Sequence, residues 1–187
     1  MITQRLYESA AMFTPSYKGR LFIILRNPIK RVVDQFYYRQ RATWEDDYDE
    51  ELAAMTLDEF SRSDKMVENY IVRSLLNKGD GDLTASHVQT AKHILRRKFI
   101  VGLVEWYSLG VVRFEKYFGW WEKYQVVTNT TVNFCHYSKI TDDIPTGYNP
   151  KSELGSESWK VIGVRNWADI ELYFYAKDLF YQQAKLV

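Results

Sequence analysis

At 187 residues, with 46% hydrophobic and 16% aromatic side chains, the chain is the size of one ordinary domain and has enough apolar material for an aromatic-rich interior, which excludes a disordered polypeptide. Lys and Arg number 25 against 24 Asp and Glu, a formal net charge of +1, so recognition of nucleic acid through bulk positive charge is excluded and any anion site must be local. Cys135 is the single cysteine, which rules out an internal disulfide and a cysteine-based zinc cluster. No apolar run approaches the length that crosses a bilayer, and Met1 to Ala11 lack the basic-then-apolar plan of a signal peptide, so the sequence as given reads as soluble.

In chain order, Gly19 to Leu25 (GRLFIIL) is a short continuous apolar run, as expected of a strand buried on both faces. It ends at Arg26. Asn27 can cap and Pro28 can open a helix whose apolar face is Ile29, Val32, Val33, Phe36 and Tyr37. Thr56-Leu57-Asp58-Glu59 is a capping box, Val67, Ile71 and Leu75 space a short helix, and Asn77 to Leu83 is a turn. Thr84 caps a further helix through Val88, Ala91, Ile94 and Leu95, which leads into a second predicted strand, Phe99 to Val104. Trp106 to Phe118 reads as an aromatic-rich helix ended by Gly119, Gln125 to Tyr137 as β-prone, and Thr141 to Gly155 as a loop. Asn166 opens a terminal helix with Trp167, Ile170, Tyr173, Phe174, Leu179 and Phe180 on its apolar side. There is no internal repeat and no interdomain linker.

Of these features the strand, Arg26 and helix junction has chemical content. A helix N-terminus presents unpaired amides and a partial positive charge, and a guanidinium at the end of the preceding strand adds a forked donor suited to phosphate. Ligands of open α/β sheets also lie beyond the carboxyl ends of strands, where Arg26 should project. On spacing alone the preferable reading of Arg26 is a surface residue at an ordinary strand-to-helix turn.

Arg26-Asn27-Pro28, followed by Arg31, position 34 and Phe36-Tyr37-Tyr38, resembles the 3′-phosphate-binding motif of PAPS-dependent sulfotransferases. Ala42-Thr43-Trp44-Glu45, Phe99-Ile100-Val101-Gly102-Leu103, Arg113 to Phe118, and Asn166-Trp167-Ala168-Asp169 with Leu172-Tyr173 and Leu179-Phe180 extend the similarity, which looks closest to the membrane-associated, carbohydrate-type branch. The resemblance implies an α/β fold, a sulfotransferase-like parallel sheet related to the P-loop NTPases with helices packed on it, here helix-rich and N-terminally truncated. It implies one domain over 1–187, with 1–18 an atypical N-terminal segment and 19–41 the strand plus 3′-phosphate-binding helix. The implied reaction is in-line transfer of a sulfuryl group from the co-substrate PAPS to an acceptor hydroxyl or amine, without a metal, with a glycan or small alcohol as acceptor and the Golgi lumen as compartment. Carried over by position, Arg26 binds the 3′-phosphate and Arg31 braces the helix or the adjoining loop.

Two departures bear on that expectation. The family's phosphate-binding serine is replaced by Asp34, and a carboxylate about 5 Å from a phosphate repels each like charge by about 3 kcal/mol at an effective dielectric near 20. Lys30, four residues before Asp34 on the helix, offers that carboxylate a partner. The family also holds the 5′-phosphosulfate in a glycine- and lysine-containing loop upstream of the Arg motif, and Met1 to Lys18 resemble neither that loop nor a P-loop. Because the catalytic base comes from near that loop in the family, the resemblance assigns none here. The alternative reading is a non-catalytic remnant of the fold that serves as a protein-interaction module.

The remaining motifs read as structural. His87 and His93 are six apart on one predicted helix and so on different faces, which excludes a paired-ligand zinc site. Cys135-His136 would put its side chains on opposite faces of a strand, so the cysteine reads as a small core residue. The acidic run Glu45 to Glu51 reads as a solvated loop, Asn129-Thr130-Thr131 as a chance glycosylation triplet, and Lys151 as a solvent-exposed loop lysine, with an approach to phosphate, as by loop lysines of the similar enzymes, as its alternative.

Overall fold

The computed structural model describes residues 5–17, 19–119 and 155–186. They form a helix-rich α/β chain that divides into two compact units: Met1–Leu25, Lys92–Thr146 and Phe174–Val187 make the first, and Arg26–Ala91 with Gly147–Tyr173 the second. The β-prone stretch 125–137, the loop before Gly155, Cys135-His136, Asn129-Thr130-Thr131 and Lys151 lie outside the described residues.

The first unit is built on two parallel strands, β1 (Leu21–Leu25) and β2 (Phe99–Leu103), in the register Leu21 to Phe99 through Leu25 to Leu103. Every residue of β2 is buried, as its unbroken apolar run requires. β1 departs from the expectation of two buried faces: Ile23 and Leu25 are buried, whereas Phe22 and Ile24, on the other face, are 39% and 37% exposed. That face is only partly covered, by Phe114 and Phe118, whose rings lie 4.9 and 6.2 Å from the ring of Phe22.

Both of those rings belong to α7 (Tyr107–Phe118), which follows a 3-10 turn at Val104–Trp106 and ends at Gly119 in the left-handed conformation, φ 62°. Gly102 is where β2 admits α7, since a Cβ there would meet Phe114 Cζ at 2.7 Å. The far edge of β2 is closed by one side chain. Gln183 Oε1 accepts from Val101 N–H at 2.8 Å and Gln183 Nε2 donates to Phe99 O at 2.8 Å. Nearby, the buried Arg113 guanidinium donates to Phe180 O and stacks 3.8 Å from the Phe180 ring, and burial lowers its pKa.

In the second unit, α2 (Pro28–Arg39) forms as read: Asn27 Oδ1 accepts from Ile29 and Lys30 N–H at 3.0 and 3.2 Å, and Pro28 opens the first turn. Its Ile29, Val32, Val33 and Phe36 share a core with Leu52, Phe60, Met66 and Ile162. These come from α3 (Glu50–Ala54), α4 (Leu57–Arg62), the following turn and α8 (Glu157–Arg165). The expected capping box is present on α4, with Thr56 Oγ1 accepting from Glu59 N–H at 3.3 Å and Glu59 Oε2 accepting from Thr56 N–H at 2.8 Å.

The acidic run is more than a solvated loop. Asp49 caps α3 by accepting from Leu52 N–H at 3.0 Å, Lys65 pairs with Asp49 and Glu51 at 2.5 and 3.1 Å, and Tyr38 O–H donates to Glu45. Three short elements have no counterpart in the sequence reading: α1 (Leu6–Ala11), α3 and α8.

Two more helices depart from the expected stripes. α5 (Tyr70–Leu76) buries Val72 and Leu75, while Val67 stands outside it and 45% exposed. α9 (Trp167–Gln182) buries Ala168, Leu172, Tyr173, Ala176, Leu179 and Phe180, whereas Trp167 and Phe174 are 40% and 62% exposed. Between these helices, α6 (Ala85–Lys98) buries Val88, Ala91 and Leu95 as its spacing predicts. At its start His87 Nδ1 accepts from Thr84 N–H at 3.0 Å, the place a glutamate takes in a capping box.

Candidate anion-binding site

The site that the sequence singles out sits at the start of α2, with every group in the second unit. Arg26 follows the last residue of β1 and precedes the Asn27 cap, so its guanidinium is available to the first turns of the helix. The ion pair that forms there is with Asp34: Arg26 Nη2 lies 2.6 Å from Asp34 Oδ2, with both side chains about one-third exposed at 36% and 32%. Asp34 thus occupies the guanidinium that the motif assigns to phosphate, rather than serving only the partner that spacing offered at Lys30. The two amides at the helix start are likewise used by Asn27, which leaves less of the N-terminal donor set for an outside anion.

One group of donors stays open. Arg26 Nε, Arg31 Nε and Arg31 Nη2 are buried and have no hydrogen-bond partner. Buried guanidinium N–H groups without acceptors are costly.

Arg31 is held from behind by a polar network. Its Nη2 is 3.7 Å from Asp169 Oδ2, and its guanidinium lies 5.4 Å from the Tyr70 ring. Burial lowers the Arg31 pKa, and Asp169 and Tyr70 push it back up. Burial pushes the Asp169 carboxyl up, against two amide donors and the charges of Arg31 and Arg73 that favour the carboxylate.

Asp169 and Asn69 tie α5 and α9 together by capping each other's helices. Asp169 accepts from Ile71 and Val72 N–H at 3.1 and 2.8 Å, at the start of α5. Asn69 Oδ1 accepts from Ala168 and Asp169 N–H at 2.9 and 3.2 Å, at the start of α9, and Asn69 Nδ2 donates to Arg165 O at 2.9 Å. Asn166 immediately precedes α9, as the sequence reading has it, and its side chain accepts from Asn69 N–H at 2.9 Å and donates to Ile162 O at 3.0 Å. Asn69 holds the left-handed conformation at φ 50°, which asparagine tolerates better than most residues.

Sequence reasoning found Arg26, Arg31 and Asp34 and missed this network. A polar pair about 97 positions apart in the chain leaves no spacing signal. Among the described residues, no group of three or more His, Cys, Asp or Glu side chains could hold a metal ion, and no helix is long and apolar enough to cross a membrane.

These features define a helix-rich α/β protein with a small parallel sheet and an arginine-bearing strand-to-helix junction. No protein-family model, curated protein or solved structure matches the chain.

Proposed function

We propose that this chain is the 3′-phosphate-binding part of a PAPS-dependent sulfotransferase-like protein, with Arg26 as the donor contact and Arg31 as the residue that braces it. The observation that carries this reading is the set of buried donors without acceptors, Arg26 Nε with Arg31 Nε and Nη2, at the two arginines of the motif. A nucleotide phosphate seated there would gain charge-assisted hydrogen bonds from groups that are already desolvated. Asp34 is the competing internal anion. It neutralises Arg26 and repels the incoming phosphate, so affinity is set by how readily the 2.6 Å pair opens. In the full reaction the sulfuryl group would pass from PAPS to a hydroxyl or amine of a carbohydrate or other acceptor.

The Arg26 and Asp34 pair also supports a second reading, in which the internal carboxylate has permanently replaced the phosphate and the fold serves as a protein-interaction module. Calorimetric titration with 3′-phosphoadenosine 5′-phosphate separates the two. The donor-site reading expects saturable binding that Arg26→Ala abolishes and Asp34→Ser strengthens by on the order of a hundredfold, the equivalent of about 3 kcal/mol of removed repulsion. Folded wild-type and Asp34→Ser proteins that both fail to bind would leave the second reading.

A further inference from the structure

The first unit contains a cavity of about 590 Å³ lined by Phe13, Thr14, Pro15, Gly19, Arg20, Arg97, Lys98 and Tyr117. Gly19 and Arg20 immediately precede β1, and Arg97 and Lys98 immediately precede β2. The cavity therefore lies at the N-terminal end of the parallel pair, and it shares no residue with the Arg26 motif. Its volume is in the range that accommodates a small organic ligand.

The walls are fixed by specific contacts. The Phe13 ring lies directly on Gly19, where a Cβ would meet Phe13 Cε1 at 2.3 Å, so only glycine admits the ring in this position. Lys98 Nζ donates to Phe13 O, which ties the loop to the end of α6. The Arg20 guanidinium stands 6.0 Å from the centre of the Tyr117 ring. Among the described residues the lining combines two aromatic rings and a proline with three cationic side chains and contains no carboxylate. Among the described residues neither Arg20 nor Arg97 makes an ion pair with an acid, and Arg97 is exposed. The end of α6 accounts for part of this charge, because Arg96, Arg97 and Lys98 complement the helix dipole. That explanation does not extend to Arg20, which reaches the cavity from the other strand.

We infer that this cavity binds a small organic anion with a flat apolar body, the body lying against Phe13 and Tyr117 and the phosphate, sulfate or carboxylate group meeting Arg20 and Arg97. Such a ligand matches both halves of the lining, whereas an inorganic anion or a neutral aromatic matches only one of them.

The test is calorimetric titration of the whole chain with 1-naphthyl phosphate, alongside inorganic phosphate and 1-naphthol as its two halves. Saturable binding of naphthyl phosphate, at least tenfold tighter than that of either half, is expected. Arg20→Gln and Arg97→Gln should each weaken it about tenfold, the loss of one charge-assisted hydrogen bond. Gly19→Ala should weaken it by displacing Phe13, with the far-ultraviolet circular dichroism unchanged, and Arg26→Ala should leave it as in wild type. Failure of wild type to bind, binding by both arginine variants as tight as that of wild type, or loss of binding in Arg26→Ala would each overturn the assignment, the last by placing the phosphate at the motif on α2 instead.

Discussion

The two compact units handle charge in opposite ways. In the second unit arginines meet carboxylates: Arg26 with Asp34, Arg31 with Asp169, Arg62 with Asp58, and Arg165 with Glu68. In the first unit the buried Arg113 is satisfied by a carbonyl and a ring, and the cavity cations face aromatic walls. One unit is held by polar groups that cap and pair across long sequence separations, and the other by close apolar packing of a helix on a strand. The difference teaches where an external anion would have to compete: at Arg26 it would have to displace a carboxylate, whereas among the described residues no acid is paired with Arg20 or Arg97.

Three substitutions sharpen that contrast, beginning with the largest effect. Asp169→Ala should destabilise the chain by about 3–5 kcal/mol, because it leaves the buried Arg31 charge without its partner and uncaps the start of α5. Urea unfolding reads this directly, and a loss below about 1 kcal/mol would remove the network from its central place in the second unit.

Gly102→Ala probes the apolar counterpart. The added Cβ would come within 2.7 Å of Phe114 Cζ, a ring that is only 2% exposed and has little room to retreat. A cost of about 1–3 kcal/mol by the same measurement is expected from overpacking. An unchanged stability would show that α7 does not hold β2 as tightly as its packing implies.

The smallest effect is a pH dependence in the second unit. Hydrogen bonds from the Thr56 N–H and hydroxyl hold the Glu59 carboxyl below its ordinary value of 4.5. A depressed carboxyl contributes stability above its unfolded pKa and loses it as pH falls through the lower folded value. The urea midpoint of wild type should therefore exceed that of Glu59→Gln at pH 7, and the gap should close below about pH 4. Asp169, whose carboxyl burial pushes up, contributes with the opposite sign, losing stability as pH rises, and it cancels in this difference. A gap that is constant with pH would show that the Glu59 charge has no part in the cap.

How much of this was legible in the sequence follows the range of each interaction. The two strands, α2 with its Asn27 and Pro28 start, the Thr56 box, α6 and the Gly119 stop all rest on residues within a few positions of one another, and the sequence reading places them. It misses α8, whose signal is a single Ser156 cap accepting from Trp159 N–H at 3.3 Å, with Ile162 alone fully buried. It also misjudges the exposed faces of β1 and α9, because an apolar run shows which residues can be buried but not whether the chain supplies enough surface to bury them. At the motif, the sequence identifies Arg26, Arg31 and Asp34 but not their arrangement. Arg26 folds back to Asp34 two helical turns into α2, and Arg31 rests on an aspartate from the far end of the chain, neither of which local spacing encodes.

The Gln183 amide carries a consequence for how the sheet can grow. By satisfying Phe99 O and Val101 N–H it stands in for a neighbouring strand and blunts the edge of β2 against pairing with another chain. A strand pairing along that edge would first have to displace the amide from both groups. A single side-chain amide thus stands where a third strand would pair, while Phe22 and Ile24 belong to an exposed face of β1 and not to its edge.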